Sequence, residues 1–158
     1  MSVLNITAKV AAPLDQIKTQ ALVVLMPERK SLATRLKQLD KYLGGTLSRT
    51  ITNGDFLSSI GSTWWLPGTQ GIHRVLLVGC GSMNQRTVVS DKKIAEALAR
   101  TLVSSNAKDA IVWTEGLSPK AAQPERLLEQ IALHLTLSHY QYSQTLNHRK
   151  KSVRALRR

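Results

Sequence analysis

The stretch HRVLLVGCGS, residues 73–82, runs from an aliphatic segment directly into two closely spaced glycines, Gly79 and Gly81. A short apolar run that is bounded by turn residues is typical of a strand buried on both faces, as in a parallel sheet. We therefore predict a buried strand over residues 74–79 that ends in a tight glycine turn.

The residues after this turn predict a helix and then a second strand. Ser90 or Asp91 can open the helix, and apolar residues then recur along one stripe at Ile94, Leu98 and Leu102. Residues 109–113 (DAIVW) form the next short apolar run. A strand, a helix over 91–104 and a further strand make a βαβ crossover, which joins parallel strands.

The first part of the chain predicts a strand followed by a leucine-rich helix. Residues 20–26 (QALVVLM) are a continuous apolar run that ends at Pro27. Ser31 can cap a helix in which leucines recur every three or four residues, at Leu32, Leu36, Leu39 and Leu43. Gly44-Gly45 supplies a left-handed stop for that helix.

The remaining segments predict edge strands and a final long helix. Residues 3–10 alternate loosely between apolar and polar side chains, and two further strands are predicted near 47–51 and 62–66. Pro124 suits the first position of a helix that extends to about residue 146 and is apolar on more than one side. Together the elements predict a three-layer α/β domain around a mixed sheet.

Composition limits the class of protein. A chain of 158 residues with 42% apolar and 20% charged residues suits one globular domain. No apolar run is long enough to cross a bilayer, the first residues show no secretory signal, and Cys80 alone permits no internal disulfide. We therefore expect a cytoplasmic domain without a membrane partner.

Positive charge is concentrated at the end of the chain. Lysine and arginine number 22 against 10 acidic residues, which gives a net charge of +12. Half of this excess comes from six residues near the end: Arg149, Lys150, Lys151, Arg154, Arg157 and Arg158. We expect a domain over residues 1–146 and a basic tail, residues 147–158.

Three interpretations of the basic tail remain open. It is an arm that contacts nucleic acid, a solvated interdomain linker, or a helix with Val153 and Leu156 on one stripe. No aromatic residues interleave with the basic ones and no groove-reading motif is present, so specific nucleic-acid recognition is not supported. The linker interpretation is favoured.

The glycine pair matches a dinucleotide-binding fingerprint only in part. The position of the third glycine is Asn84, and no acidic residue ends the strand over 109–113. Cys80 would need a convergent histidine and an acid or amide to act as a nucleophile, and a single thiol beside a buried strand is more often a small apolar side chain. We predict a structural turn, whose backbone amides could still meet an anion.

The histidines and tryptophans give weaker signals. His134 and His139 are five residues apart, which directs them to different sides of a helix, so we predict that they bind no metal. Trp64 and Trp65 point to opposite faces of a strand. One of them is therefore expected in the core, and the other is a candidate interface residue.

Several stretches, taken in order, resemble the N-terminal domain of the leucyl aminopeptidase (cytosol aminopeptidase) family. They are QALVVLM, LDKYLGGTLSRTITNGDF, STWWLPG and HRVLLVGCGS. The late HYQYSQT, followed by basic residues, is similar to the Tyr-rich helix end that precedes the family's interdomain linker. The resemblance covers about residues 3–152 and implies a macro-domain-like α/β/α fold with a mixed, mostly parallel sheet.

The resemblance also implies a parent enzyme that removes N-terminal amino acids from peptides in the cytoplasm, as a hexamer. In that family two divalent metal ions, zinc or manganese, are bound in a C-terminal catalytic domain and activate a water molecule. The signature of that domain, an Asn-Thr-Asp run followed by Glu-Gly-Arg, is absent from this chain. No catalytic or metal-binding position can therefore be carried over, and no cofactor is expected within the chain.

Two functions remain open. The chain is either a non-catalytic domain that serves assembly and active-site access beside a missing catalytic domain in a homo-oligomer, or a free-standing macro-like or basic module that binds DNA or a nucleotide. Some bacterial family members bind DNA, and the charge of +12 favours non-specific DNA binding. ADP-ribose binding is disfavoured, because Pro27-Glu28-Arg29 replaces an Asn- and Gly-rich loop. The linker-like tail favours a fragment of a longer enzyme.

Overall fold

The computed structural model describes residues 4–7, 12–114, 117 and 124–155, and the side chains of this part up to residue 140. The strands are β1 (Thr19–Pro27), β2 (Thr63–Thr69), β3 (Ile72–Gly81) and β4 (Ala110–Trp113). The helices are α1 (Thr34–Tyr42), α2 (Thr46–Thr52), α3 (Val88–Ser104) and α4 (Pro124–Ala155), with short 3₁₀ turns at Leu14–Gln16 and Met83–Gln85.

The sheet is mixed and mostly parallel, as the sequence predicted. Its strand order is β2-β3-β1-β4. β1 pairs in parallel with both β3 and β4, whereas β2 pairs antiparallel with β3. β3 and β4 therefore run in the same direction on either side of β1, which is what the predicted βαβ crossover requires.

Helices cover both faces of the sheet, so the two central strands are apolar on both sides. The α1–α2 face packs on alternate residues of β1 and β3: Leu22, Val24, Val75 and Leu77. The α3–α4 face packs on the residues between them: Ala21, Val23, Leu76 and Val78. The continuous apolar runs in the sequence are thus explained by burial on both faces, and the three-layer α/β/α fold is confirmed.

Residues 46–52 form helix α2, so the strand predicted near 47–51 is wrong. Leu47 and Thr50 are both buried, and their spacing of three places them on one side of a helix. The Thr50 hydroxyl donates to the Thr46 carbonyl oxygen at 2.9 Å. Burial of this side against the core outweighs the preference of threonine and isoleucine for strands.

Two helices begin at other residues than the sequence predicted. The N-cap of α1 is Ala33, which makes no side-chain cap, rather than Ser31. The N-cap of α3 is Thr87, and Ser90 is the N3 residue that completes its capping box rather than the cap. The end of α1 is as predicted, because Gly44 and Gly45 have φ angles of 70° and 78°, in the left-handed region.

The last helix extends further than predicted, and the first strand is not present in the described residues. The backbone of α4 is helical through Ala155 instead of ending near residue 146. Of the three interpretations of the basic tail, the helical one therefore fits the backbone of residues 147–155. Residues 4–7 have no regular secondary structure, and the rest of the predicted strand over 3–10 lies outside the described residues. Within the described part of the chain, no helix has the length and apolarity needed to cross a membrane.

Candidate functional site

The glycines at the end of β3 allow a close approach of two backbone segments and do not form a tight turn. β3 continues through Gly81, and the loop over residues 58–62 lies against it. A Cβ atom on Gly79 would lie 2.0 Å from the Ser59 carbonyl oxygen, so only glycine fits there. The amides of Gly79 and Gly81 donate to the carbonyl oxygens of Ser62 and Ser58 at 2.8 and 2.9 Å. Since these amides are already satisfied, they do not form an anion site.

Cys80 is a core residue and not a nucleophile. Its side chain is fully buried among the residues beneath α3 and α4. Burial raises the pKa of the Cys80 thiol to about 12, and the positive charge of Arg86 offsets this only in part. The thiol is therefore protonated at neutral pH, whereas a nucleophile must be a thiolate.

The three histidines whose side chains are described do not meet in a metal site. His73 is exposed on β3, and His134 and His139 are half-buried on α4. Across the residues whose side chains are described, no group of three or more histidine, cysteine, aspartate or glutamate residues is placed to hold a metal ion. These residues therefore do not fit the two divalent ions that the family resemblance implies.

A buried charged cluster, which the sequence analysis missed, links the beginnings of α3 and α4. Asp91 is fully buried, and its Oδ1 atom lies 2.7 Å from Nε of Arg86. Its Oδ2 atom lies 2.6 Å from Nε of Arg126, in the first turn of α4. Nothing in the sequence indicated that Arg126, 35 residues further along, would meet Asp91. The cluster fixes the first turn of α4 against α3.

A groove runs between the 3₁₀ turn at Leu14–Gln16, which we label η1, and α1; we refer to it as the η1–α1 groove. Its volume is about 770 Å³, and Trp113 at the end of β4 is one of the residues that line it. The α1 wall consists of residues that share one side of the helix: Arg35, Gln38, Lys41 and Tyr42. The opposite wall is the segment over residues 12–15, which contains Asp15. A concavity of this volume falls within the usual range for small-ligand sites.

The polar groups of the η1–α1 groove are held in place from both ends of α1. The Tyr42 hydroxyl donates to the Gln70 carbonyl oxygen at 3.0 Å, which anchors the end of the helix. The Arg35 guanidinium lies 3.5 Å from Oε1 of Gln38, one turn further along. The wall therefore presents two cations, Arg35 and Lys41, on an anchored helix, opposite the single carboxylate of Asp15.

The two tryptophans point to opposite faces of β2, as the alternation of side chains in a strand predicts. Trp65 packs against the core on the α3–α4 face, and the Arg74 guanidinium lies 4.7 Å from the centre of its ring. Trp64 is 41% exposed at the edge of the sheet. Its role at an interface stays a prediction.

The basic residues of the tail lie on or beyond α4. The backbone positions of Arg149, Lys150, Lys151 and Arg154 are helical, while Arg157 and Arg158 lie outside the described residues. Their predicted contacts with nucleic acid or with a neighbouring domain therefore stay predictions.

The fold defined by these elements is that of a macrodomain. The structure is similar to the macrodomain of Mycobacterium tuberculosis DarG, with a TM-score of 0.64 and 12% sequence identity over 81% of this chain and 88% of that one. At this level of identity the likeness concerns the fold alone.

The chain belongs to the cytosol aminopeptidase family, whose N-terminal domain model matches residues 23–148. It is 29% identical to a probable cytosol aminopeptidase of Thioalkalivibrio sulfidiphilus, over 91% of this chain but 29% of that protein. It is 31% identical to one of Pseudomonas syringae pv. tomato, over 74% of this chain and 24% of that protein. A mutant of tomato leucine aminopeptidase matches with a TM-score of 0.60 and 26% identity, over 81% of this chain and 26% of that one. The chain thus spans less than a third of the length of these relatives.

Proposed function

We propose that this chain acts as the non-catalytic N-terminal domain of a dinuclear-metal leucyl aminopeptidase that releases N-terminal amino acids from peptides in the cytoplasm. The observation that carries the proposal is the match to the family's N-terminal domain over residues 23–148. The described residues offer no group of metal ligands. In the proposed enzyme, zinc or manganese ions and the hydrolytic chemistry therefore belong to a catalytic domain outside this sequence.

The domain's own role in this proposal is assembly of a homo-oligomer and control of access to the active sites. Exposed apolar side chains support an assembly role: Leu57, Ile60 and Trp64 are 73%, 44% and 41% exposed. Large apolar groups on a surface are most readily explained by contact with another protein surface. The helical continuation of α4 into the basic tail supplies a stiff connection to a following domain.

An activity assay tests the proposal. The purified chain is incubated with leucine p-nitroanilide, with and without Mn²⁺ or Zn²⁺, and release of nitroaniline is followed. No turnover above the buffer control is expected, because the proposed catalytic groups lie in another domain. The non-catalytic role would be refuted by a metal-dependent activity that co-elutes with the chain in gel filtration. The rate of nitroaniline release would also have to increase in proportion to the concentration of the chain.

A second candidate function is a basic module that binds DNA or a nucleotide. It is supported by an uneven distribution of charge: the segment over residues 28–52 contains six basic residues and two acidic ones. The basic residues are Arg29, Lys30, Arg35, Lys37, Lys41 and Arg49. A net positive charge in this segment, together with the basic tail, favours non-specific attraction to a polyanion.

The salt dependence of DNA binding tests this second function. Replacing Arg149, Lys150 and Lys151 by alanine in the full chain is expected to weaken binding to a duplex and to lower the slope of log K against log salt, because fewer counterions are released. A slope that stays at the wild-type value would exclude the tail as the contact. Replacing Lys92, Lys93 and Arg100 on α3 by alanine supplies a control that loses the same three charges elsewhere.

A further inference from the structure

The topology of the sheet defines where a ligand crevice is expected. β1 and β3 are parallel neighbours, with Pro27 opposite Gly81 at their carboxyl ends. The chain leaves β1 towards α1 and α2 and leaves β3 towards α3, and these helices lie on opposite faces of the sheet. In open α/β sheets, ligands bind in the crevice between two such strand ends. The end of β3 is therefore one wall of the expected crevice.

The loop over residues 58–62, which we call the strap, is bound to this wall. The amide of Gly81 donates to the Ser58 carbonyl oxygen at 2.9 Å, and the amide of Gly79 donates to the Ser62 carbonyl oxygen at 2.8 Å. In return, the strap donates one of its own amides to the Gly79 carbonyl oxygen at 3.1 Å. The backbone groups at the end of β3 are thus taken up by the strap and are not available to a ligand.

The Ile60 side chain of the strap covers the last residue of β3. A Cβ atom built on Gly81 would lie 2.6 Å from Cγ1 of Ile60, so this side chain fills the space directly beside the strand end. The Gly81 carbonyl oxygen also accepts from the Glu28 amide at 2.9 Å. Gly81 is therefore enclosed between the strap and the chain that leaves β1.

The strap is also anchored on α3. A Cβ atom on Gly61 would be in van der Waals contact with α3, at 3.7 Å from the Lys93 carbonyl oxygen and 3.8 Å from Cβ of Ala97. At the other end of the strap, Ser58 is buried and has a φ angle of 54°, in the left-handed region that side chains other than glycine seldom adopt. Such strain persists only where the surrounding contacts fix the backbone. The strap is accordingly a fixed part of the fold.

From these contacts we propose that the strap closes the ligand crevice, so that a nucleotide cannot bind at the carboxyl ends of β1 and β3. A phosphate group in such a crevice needs closely approaching backbone amides that are free to donate. Gly79 and Gly81 permit a close approach, but carbonyl oxygens of the strap already accept from both amides. The proposal goes beyond the proposed function: it narrows the second candidate to attraction of polyanions by the surface and leaves the non-catalytic role unaffected.

An NMR titration of the isotope-labelled full chain with ADP tests the closure. We expect the amide signals of Gly79 and Gly81 to stay unchanged, because both amides are bound by the strap. ADP that is attracted by the net charge of +12 should instead shift signals of exposed basic residues, and these shifts should shrink as salt is added. Saturable shifts at Gly79 and Gly81 that persist at high salt would overturn the proposal, whereas the non-catalytic role would stand.

Amide hydrogen exchange in two matched variants tests the contact made by Ile60. Ile60 is 44% exposed and Leu57, just before the strap, is 73% exposed, so neither replacement by alanine removes a core residue. Ile60→Ala uncovers Gly81, and the Gly81 amide should exchange about fivefold faster than in the wild type. Leu57→Ala should leave that rate unchanged. Equal rates in the two variants would overturn the proposal, as would an unprotected Gly81 amide in the wild type, because the strap would then not cover the strand end.

Discussion

The Nε atom of Arg126 lies 2.6 Å from Oδ2 of Asp91, so the first turn of α4 is bound to a fully buried carboxylate near the start of α3. The other carboxylate oxygen is held by Arg86, whose side chain is 3% exposed. Removing the carboxylate would leave the Arg86 cation buried without its main counter-charge. Breaking a buried pair from one side is costly for that reason.

Asp91→Ala is therefore expected to lower the free energy of unfolding by about 3–5 kcal/mol. Arg126→Met should cost less, about 1 kcal/mol, because the Arg126 side chain is 33% exposed and Asp91 keeps Arg86. Urea denaturation followed by far-UV circular dichroism measures both changes. Glu96→Gln is the control, since its contact with Lys92 is exposed and 3.9 Å long. An Asp91→Ala loss no larger than that of the control would contradict a stabilising role for the cluster.

Gly79→Ala tests the close approach at the end of β3. The added Cβ atom would lie 2.0 Å from the Ser59 carbonyl oxygen and 2.2 Å from the Ser62 hydroxyl, so the loop over residues 58–62 must move. We expect a loss of about 1–3 kcal/mol in the free energy of unfolding. Gly54→Ala is the comparison: nothing lies within 4 Å of its Cβ position, but its φ angle of +78° strains any side chain. It should cost about 1 kcal/mol from strain alone. Equal losses would mean that no steric contact exists at Gly79.

Stability at alkaline pH tests the environment of Cys80. Its thiol pKa is raised from 9.0 to about 12 by burial in the folded state. The unfolded state then loses its proton first, so this thiol's contribution to stability is complete below pH 9 and declines as the pH rises from 9 towards 12. Its share of the decline should approach about 1.4 kcal/mol per pH unit.

The comparison of wild type with Cys80→Ala isolates this contribution, because other groups that titrate at high pH are common to both. The variant should be less stable at pH 7, since it leaves a cavity in the core, but its stability should fall less steeply above pH 9. The measurement is urea denaturation at several pH values. Parallel pH profiles for the two proteins would show that the thiol titrates similarly in the folded and unfolded states.

The two neighbouring tryptophans should respond differently to replacement by alanine. Trp65 packs on the core beneath Arg74, so Trp65→Ala is expected to cost about 2–3 kcal/mol in unfolding free energy. Trp64 is 41% exposed, and Trp64→Ala should cost less than about 1 kcal/mol. If Trp64 is an interface residue, its replacement should shift sedimentation of a longer, assembled enzyme towards smaller species. A larger stability loss at Trp64 than at Trp65 would reverse the assignment of the two faces.

The parts of the fold that the sequence predicted are those with a strong local pattern. The apolar runs of β1 and β3 require burial on both faces, and that requirement alone implies helices on either side of a parallel sheet. Gly44 and Gly45 end α1 because left-handed backbone strongly favours glycine. The ordered family motifs led to the correct family and to the macrodomain-like fold.

The errors lie where tertiary contacts outweigh local preference. Residues 46–52 contain threonine and isoleucine, which favour strands, yet the burial of Leu47 and Thr50 makes the segment helical. The pair Gly79 and Gly81 suggested a turn, but the glycines are required by a loop that is remote from them in sequence. Neither contact can be recognised from a periodic pattern in the sequence, because each contact joins two segments whose local sequence patterns are unrelated.

By itself, the sequence determined the class of fold and the buried strands, because hydrophobic periodicity and left-handed glycines act over a few residues. The family followed from the resemblance of the ordered motifs. Only the tertiary structure decided which charges meet and which surfaces stay open. Asp91 and Arg126 are 35 residues apart, and α1 and Trp113 meet at a groove although they lie far apart along the chain. Such contacts depend on how the layers pack, and packing is a property of the whole chain in three dimensions.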